Sequence, residues 1–187
     1  MKIIKKLSVL VMMFMTVATV FAIDKSEIEK MPFSDIEEES KQTIVEVALN
    51  NENFTTLVAA LKAADLVETL SGDGPFTVFA PVNAAFDKLP EGIVKDLLKP
   101  ENKEILISIL TYHVVAGEFK AKDVVEAISA NNGSFIITTV QGGKLTATLN
   151  DGKVNLTDEK GKVSTVIIAD VNAKNGVIHA IDTVVAP

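Results

Sequence analysis

The sequence predicts an α+β fold, and three observations carry that expectation. Helical periodicity dominates the earlier part of the folding region, and β-branched runs dominate the later part. Between those runs stand Gly142-Gly143, Asp151-Gly152, Lys160-Gly161 and Asn175-Gly176, pairs that make hairpins rather than the long crossovers of alternating βαβ units.

The elements follow in order. Thr43 and Glu46 have the spacing of a capping box, and Ile44, Val47 and Ala48 mark one face of the helix behind it. From Phe54, the residues Leu57, Val58, Leu61, Ala64 and Leu66 recur at three and four, which predicts a second helix. Ser71-Gly72-Asp73-Gly74-Pro75 stops it. Phe76-Thr77-Val78-Phe79-Ala80 reads as a buried strand ended by Pro81, and Asn83 is placed to cap a helix holding Ala84, Ala85, Phe86 and Leu89. Short helices fit Ile93–Leu98 and Glu101–Leu110, the latter with Pro100 at its first turn. Tyr112-His113-Val114-Val115 changes to strand character, Ala121–Ile128 is helical, and Asn131-Asn132-Gly133 closes that helix. Strands are expected at Ser134–Val140, Lys144–Leu149, Lys153–Leu156, Val163–Asp170 and Gly176–Val185.

Composition narrows the function. The chain has 187 residues, 18 Lys+Arg against 25 Asp+Glu, and a net charge of −7, and every basic residue is lysine. Nucleic-acid binding leans on a basic face and on bidentate arginine, so nucleic acid is excluded as a partner. With no cysteine there is no thiol nucleophile, Cys-ligated zinc or disulfide framework.

The N-terminus speaks for export. Lys2, Lys5 and Lys6 precede an uncharged run from Leu7 to Ile23, and Val20-Phe21-Ala22 has the small-residue ending of a cleavage site. The expected organisation is a signal peptide over 1–22, an acidic leader over 23–42 that includes Glu37-Glu38-Glu39, and one domain over 43–187. The rival is a retained N-terminal membrane anchor, since the uncharged run reaches the lower edge of spanning length. The expected location is therefore secreted or periplasmic, with the membrane reached only through that segment if it is uncleaved. Cleavage removes three lysines and no acid, leaving a still more acidic domain. Such a surface repels anionic glycans and membranes unless divalent cations bridge them.

Catalytic signatures are missing: there is no G-x-S-x-G elbow, no H-E-x-x-H and no phosphate-binding glycine loop. Of the two histidines, His179 shares a strand face with Val177 and Ile181, and Asp182 falls on the opposite face. His113, if on a strand, shares its face with Val115. Both are expected to be structural, hydrogen-bonded to backbone or a hydroxyl, and no metal or cofactor site is expected. Glycosylation sequons at Asn53, Asn132 and Asn155 are read as incidental matches in a bacterial-looking exported chain.

Three segments together resemble a known family. Phe76-Thr77-Val78-Phe79-Ala80-Pro81-Val82-Asn83-Ala84-Ala85-Phe86 looks like the first signature of the fasciclin domain, Tyr112-His113-Val114-Val115 its central Tyr-His motif, and Asn175-Gly176-Val177-Ile178-His179-Ala180-Ile181-Asp182 the start of its closing signature. Val82 stands where the family usually has Thr. The resemblance implies a β-sandwich wedge of about seven strands with several short helices packed along it. It further implies a secreted or surface-associated adhesion module with no enzymatic activity, whose partner is a cell-surface or matrix protein or a polysaccharide. Phe76, Pro81, Asn83, Phe86, Asn175, Gly176 and His179 are then structural. In animal adhesion members, integrin contact is placed on an Asp-Ile pair before the closing signature and around the Tyr-His segment. The matching positions are Asp170 and Val171, and Leu110, Tyr112 and His113; Ala169 and Asn172 depart from the residues those members carry beside the pair. Asp170, at the end of the expected strand Val163–Asp170, is read either as the start of a turn or as part of an exposed loop that binds a partner. A second reading is a small-ligand carrier with an apolar gap between helices and sheet. A hydrolase using either histidine comes third.

Overall fold

The computed structural model describes residues 41–187; the expected signal peptide and nearly all of the acidic leader lie outside the described residues. In chain order come α1 (Ile44–Leu49), a 3₁₀ turn (Glu52–Phe54), α2 (Thr55–Ala63), α3 (Val67–Ser71), β1 (Phe76–Pro81), α4 (Asn83–Asp87), α5 (Ile93–Leu97), a 3₁₀ turn (Pro100–Asn102), α6 (Lys103–Tyr112), β2 (Val114–Ala116) and α7 (Ala121–Ala130). The strands β3 (Ser134–Thr138), β4 (Lys144–Asn150), β5 (Lys153–Thr157), β6 (Val163–Ala173) and β7 (Gly176–Ile181) complete the domain.

Local chemistry explains most of these boundaries. The capping box forms as expected, with the Thr43 N–H donating to Glu46 Oε2 at 2.7 Å and the Glu46 N–H to Thr43 Oγ1 at 3.4 Å. The helix expected from Phe54 up to the Ser71–Pro75 turn cluster divides into α2 and α3, with Asp65 at φ +56° between them. Asn83 does not cap its own helix. It is the first residue of α4, behind Val82, whose side chain offers no acceptor. Instead its Oδ1 accepts the Thr56 N–H at 3.0 Å and the Thr55 hydroxyl at 3.1 Å, and its Nδ2 donates to the Glu52 carbonyl at 2.8 Å. One amide thus supplies the missing cap of α2 and joins α2 to the end of β1.

All seven strands belong to one sheet in the order β2-β1-β7-β6-β5-β4-β3. The hairpins expected in the later sequence pair antiparallel, whereas β1 lies parallel to β7, Phe76 opposite Gly176 and Pro81 opposite Ile181. Strand β6 is the pivot. Its first residues pair with β5 and its later ones with β7, and the register against β7 shifts between Val166 and Ile168 and again between Ile168 and Val171. Such bulges bend a strand sharply. Past β3, the Val140 N–H donates to the Val114 carbonyl of β2 at 2.8 Å, so the sheet curls almost into a barrel.

The curl creates two apolar layers. On the helical side, Val78 and Ala80 of β1 and Ile178 and Ala180 of β7 pack against Ile44, Phe54, Leu57, Leu61, Leu106 and Leu110. Inside the curl, Phe79 and Ile181 meet Tyr112, Val115, Leu145, Ala147 and Leu156, with Val124 and Ile128 of α7 closing the end. Strands β1 and β7 are covered on both faces, which is why they read as continuous apolar runs rather than alternating ones. Gly176 permits their approach: a Cβ there would stand 1.9 Å from the Phe76 carbonyl oxygen.

The Tyr-His segment departs from its expected strand. Tyr112 ends α6 and His113 is its C-cap, with β2 starting only at Val114. The apolar periodicity of Ile105, Leu106, Ile109 and Leu110 carries the helix as far as Tyr112.

Candidate functional site

The residues singled out before the closing signature stand in a strand, not a loop. Asp170 lies within the bulged part of β6 at φ +58°, and its side chain is exposed. That left-handed conformation suits Asp and Asn better than most residues. Asp170 Oδ1 accepts the N–H of Ala121, the first residue of α7, at 2.7 Å. A carboxylate there satisfies one of the helix's unpaired amides and meets the positive end of its dipole. Val171 is half-buried and packs against the helical-side core.

Behind Asp170 runs a chain of hydrogen bonds. Its N–H donates to His179 Nδ1 at 3.3 Å, and His179 Nε2 donates to the Phe119 carbonyl at 2.8 Å. The Phe119 N–H donates to Thr77 Oγ1 at 2.9 Å, and the Thr77 hydroxyl to the Gly117 carbonyl at 2.7 Å. With the Ala121 bond, strands β1, β6 and β7, the 117–120 loop and the start of α7 are locked together by six residues. The acceptor role of Nδ1 fixes the His179 proton on Nε2. The imidazole also stacks on Phe79, centroids 5.6 Å apart. Burial pushes its pKa down, against the opposing pull of the Phe119 carbonyl and the Asp170 charge.

Leu110, Tyr112 and His113 are interior residues. All three are buried, so none presents its side chain at the surface. The Tyr112 hydroxyl donates to the Lys144 carbonyl at 2.7 Å, and burial pushes its pKa up. Its ring lies so close to Gly143 that a Cβ there would be 2.4 Å from it. His113 Nδ1 donates to the Ile109 carbonyl at 2.8 Å, and Nε2 accepts the Val185 N–H at 3.3 Å. Burial pushes its pKa down to about 4. Each histidine therefore spends both ring nitrogens on backbone groups, and neither has a lone pair free to abstract a proton or bind a metal. Among the described residues, no group of three His, Asp or Glu side chains is gathered for a metal ion.

The remaining motif residues make their contacts inside the fold. The Asn175 amide is buried, accepting the Ile44 N–H at 2.9 Å and donating to the Leu70 and Gly72 carbonyls, each at 2.8 Å. Phe76, Val82 and Phe86 pack against the helical-side core. One polar centre was not anticipated. Asp158 is buried, its Oδ1 accepting the Lys160 and Lys162 N–H groups and its Oδ2 the N–H of Ala186. The Asp158-Glu159-Lys160-Gly161 turn signals the first part of that arrangement, since Asp readily bonds backbone amides two residues on.

What the bulge leaves outside is a short apolar ridge. Ile167 and Ile168 are 47% and 45% exposed, and Ala169 and Asp170 continue the exposed stretch. Beside it a cleft of about 180 Å³ opens between α7, the β4–β5 hairpin and β6.

Comparison with known proteins bears on this geometry. The fold is that of an FAS1 domain: the chain superposes on a FAS1 domain pair from the insect cell adhesion molecule fasciclin I with a TM-score of 0.70 at 22% identity, covering 79% of this chain and 52% of that one. The Fasciclin domain family model matches residues 52–187, and the chain belongs to that family. It is 51% identical over 150 residues to protein sll1483 of Synechocystis, spanning 80% of this chain and 76% of that protein. It is 36% identical over 153 residues to the cell surface glycolipoprotein MPB83 of Mycobacterium bovis, spanning 79% of this chain and 62% of the relative. Helix α1 precedes the matched residues, yet Ile44, Val45 and Ala48 are part of the helical-side core.

Proposed function

We propose that this chain is a non-enzymatic adhesion module of an exported protein, holding a cell-surface or matrix protein or polysaccharide through the exposed stretch of β6. The observation that carries this reading is the ridge itself. Two large apolar side chains, Ile167 and Ile168, stand half in water on a strand whose backbone is pinned by Asp170 and His179. Apolar groups held rigidly at a surface lose little entropy on docking and gain by leaving water. Family membership supports the reading, as do an adhesion molecule among the structural neighbours and a cell-surface protein among the relatives. The absence of an unengaged histidine nitrogen argues for binding over hydrolysis.

Export rests on the N-terminal sequence, with its lysine-led apolar run and small-residue ending. The small-residue ending and the acidic segment behind it make cleavage the favoured outcome and an anchored form the alternative.

The test is capture on a surface carrying the protein densely, so that weak contacts add through avidity. Envelope and extracellular polymers of the producing organism are the bait. An Ile167→Ser/Ile168→Ser variant is the paired control, preferred over Asp170→Ala, because Asp170 also caps α7. Capture by the parent and its loss in the double variant support the ridge. Equal capture by both moves the contact elsewhere. Attachment to anionic polymers is expected to rise with added calcium, since the chain carries a net charge of −7. Strong attachment in chelator, unchanged by calcium, removes that part of the proposal.

A further inference from the structure

We infer that the cleft between α7, the β4–β5 hairpin and β6 binds the apolar tail of a free amphiphilic carboxylate, with the carboxylate at Lys153. The walls are Val124 and Val125 of α7, Val154 of β5, and Val166 and Ala169 of β6. The floor is the stacked pair Phe79 and His179. His179 is the one polar side chain inside, and both its nitrogens are engaged with backbone, Nδ1 with Asp170 and Nε2 with Phe119. Nothing within the cleft asks for a polar ligand atom. What enters is hydrocarbon.

Size and charge set the rest of the ligand. The cleft holds about 180 Å³. An apolar cavity of roughly 150 Å³ takes up benzene, so this one suits a single ring or a short alkyl chain. A polar head then emerges at the rim, where Lys153 lines the opening. The other charges near the rim are engaged or turned elsewhere. The Asp170 carboxylate holds the Ala121 N–H, Lys122 and Glu126 pair with each other at 3.8 Å, and Asp151 does not line the cleft. Among the described residues, Lys153 makes no ion pair. Its long apolar stem lets the ammonium follow a head group across the rim. An anionic head is therefore favoured over a cationic one. The cleft shares Ile167 and Ala169 with the exposed stretch of β6, but the inference needs only the apolar wall they give it and does not rest on the adhesion reading.

The probes are octanoate and octylammonium, titrated separately into the protein while the methyl NMR signals of the cleft are followed. Octanoate is expected to shift the Val124, Val125, Val154 and Val166 methyls saturably, and octylammonium to bind more weakly. Lys153→Gln changes an exposed residue and leaves the fold intact; it is expected to weaken octanoate by about two- to fivefold, the range of an exposed ion pair. Val125→Phe fills the cleft and is expected to abolish binding of both. No saturable shift at millimolar octanoate overturns the inference. So does octylammonium binding as tightly as octanoate, or an affinity for octanoate unchanged by Lys153→Gln.

Discussion

Asp170 and Ala121 stand 49 residues apart in the chain, yet the carboxylate of one accepts the backbone N–H of the other at 2.7 Å. This single bond ties the bulge of β6 to the start of α7 and gives Asp170 a structural duty, whatever its surface does. Two demands fall on the residue: a short acceptor, and tolerance of φ +58°. They separate by substitution. Asp170→Asn keeps both and loses only the charge facing the helix dipole, about 0.5 kcal/mol. Asp170→Gly keeps the backbone freedom and loses the cap, about 1 kcal/mol. Asp170→Ala loses the cap and strains the backbone, about 2 kcal/mol. Urea unfolding of the three should place them in that order. An alanine variant as stable as the asparagine one refutes the capping role.

The two histidines make stability depend on pH. His113 has its pKa pushed down to about 4 in the folded protein, against an ordinary value of 6.5, and His179 is shifted in the same direction by burial. Between those values the unfolded chain binds a proton that the folded chain does not, so stability falls as pH falls. The contribution is fully present above pH 6.5 and is lost progressively down to about pH 4, below which His113 takes nothing more away. The loss for His113 alone is about 3 kcal/mol. Urea midpoints measured from pH 8 down to pH 4 should hold level at first and then drop through that window. A midpoint that stays level from pH 7 to pH 5 contradicts the buried, neutral assignment.

How much of this was legible in the sequence follows the range of each interaction. The Thr43–Glu46 capping box, the hairpin pairs and the buried β1 and β7 runs are local signals, and the residues that write them lie within a few positions of one another. Asn83 was legible as a cap but not for which helix, because the Thr56 amide and the Thr55 hydroxyl it serves lie 27 and 28 residues upstream. The bulge at Asp170 left no local trace either. It is set by how β6 divides its pairing between β5 and β7, and the strand reads as one β-branched run. The Tyr-His pair misled for a related reason: its aromatic and β-branched neighbours favour a strand, but the packing of Leu106 and Leu110 extends α6 to Tyr112. The residues a partner was expected to touch there became interior ones.

Asn83 offers a test of that remote cap. Replacing it with alanine removes the acceptor for the Thr56 N–H and the Thr55 hydroxyl and the donor to the Glu52 carbonyl. The loss should be about 1–2 kcal/mol. Its location is the sharper prediction. Hydrogen exchange should quicken at Thr56, at the start of α2, while α4 keeps its protection although Asn83 is its own first residue. Aspartate in its place keeps the acceptor and should fall between. Faster exchange in α4 with α2 unchanged would return Asn83 to the role its sequence position suggests.

Asn175 and Gly176 make the strongest demand for identity in the fold, and for opposite reasons. The Asn175 amide needs both its ends: the oxygen accepts from Ile44 at the start of α1, and the nitrogen donates to the Leu70 and Gly72 carbonyls. Alanine leaves these buried groups unpaired, at about 1–3 kcal/mol for each that water cannot reach. Aspartate, nearly the same shape, restores the acceptor but turns a carboxylate toward two carbonyl oxygens, so it should be no better than alanine. Gly176 needs the absence of a side chain, since a Cβ would stand 1.9 Å from the Phe76 carbonyl oxygen and 2.8 Å from its nitrogen. Gly176→Ala must therefore part β1 from β7 in the middle of the sheet, and the chain should fail to fold. Denaturation of Asn175→Asp and Asn175→Ala, with soluble yield for Gly176→Ala, tests all three. An aspartate variant as stable as the parent would mean that the two carbonyls are served by something other than the Asn175 amide.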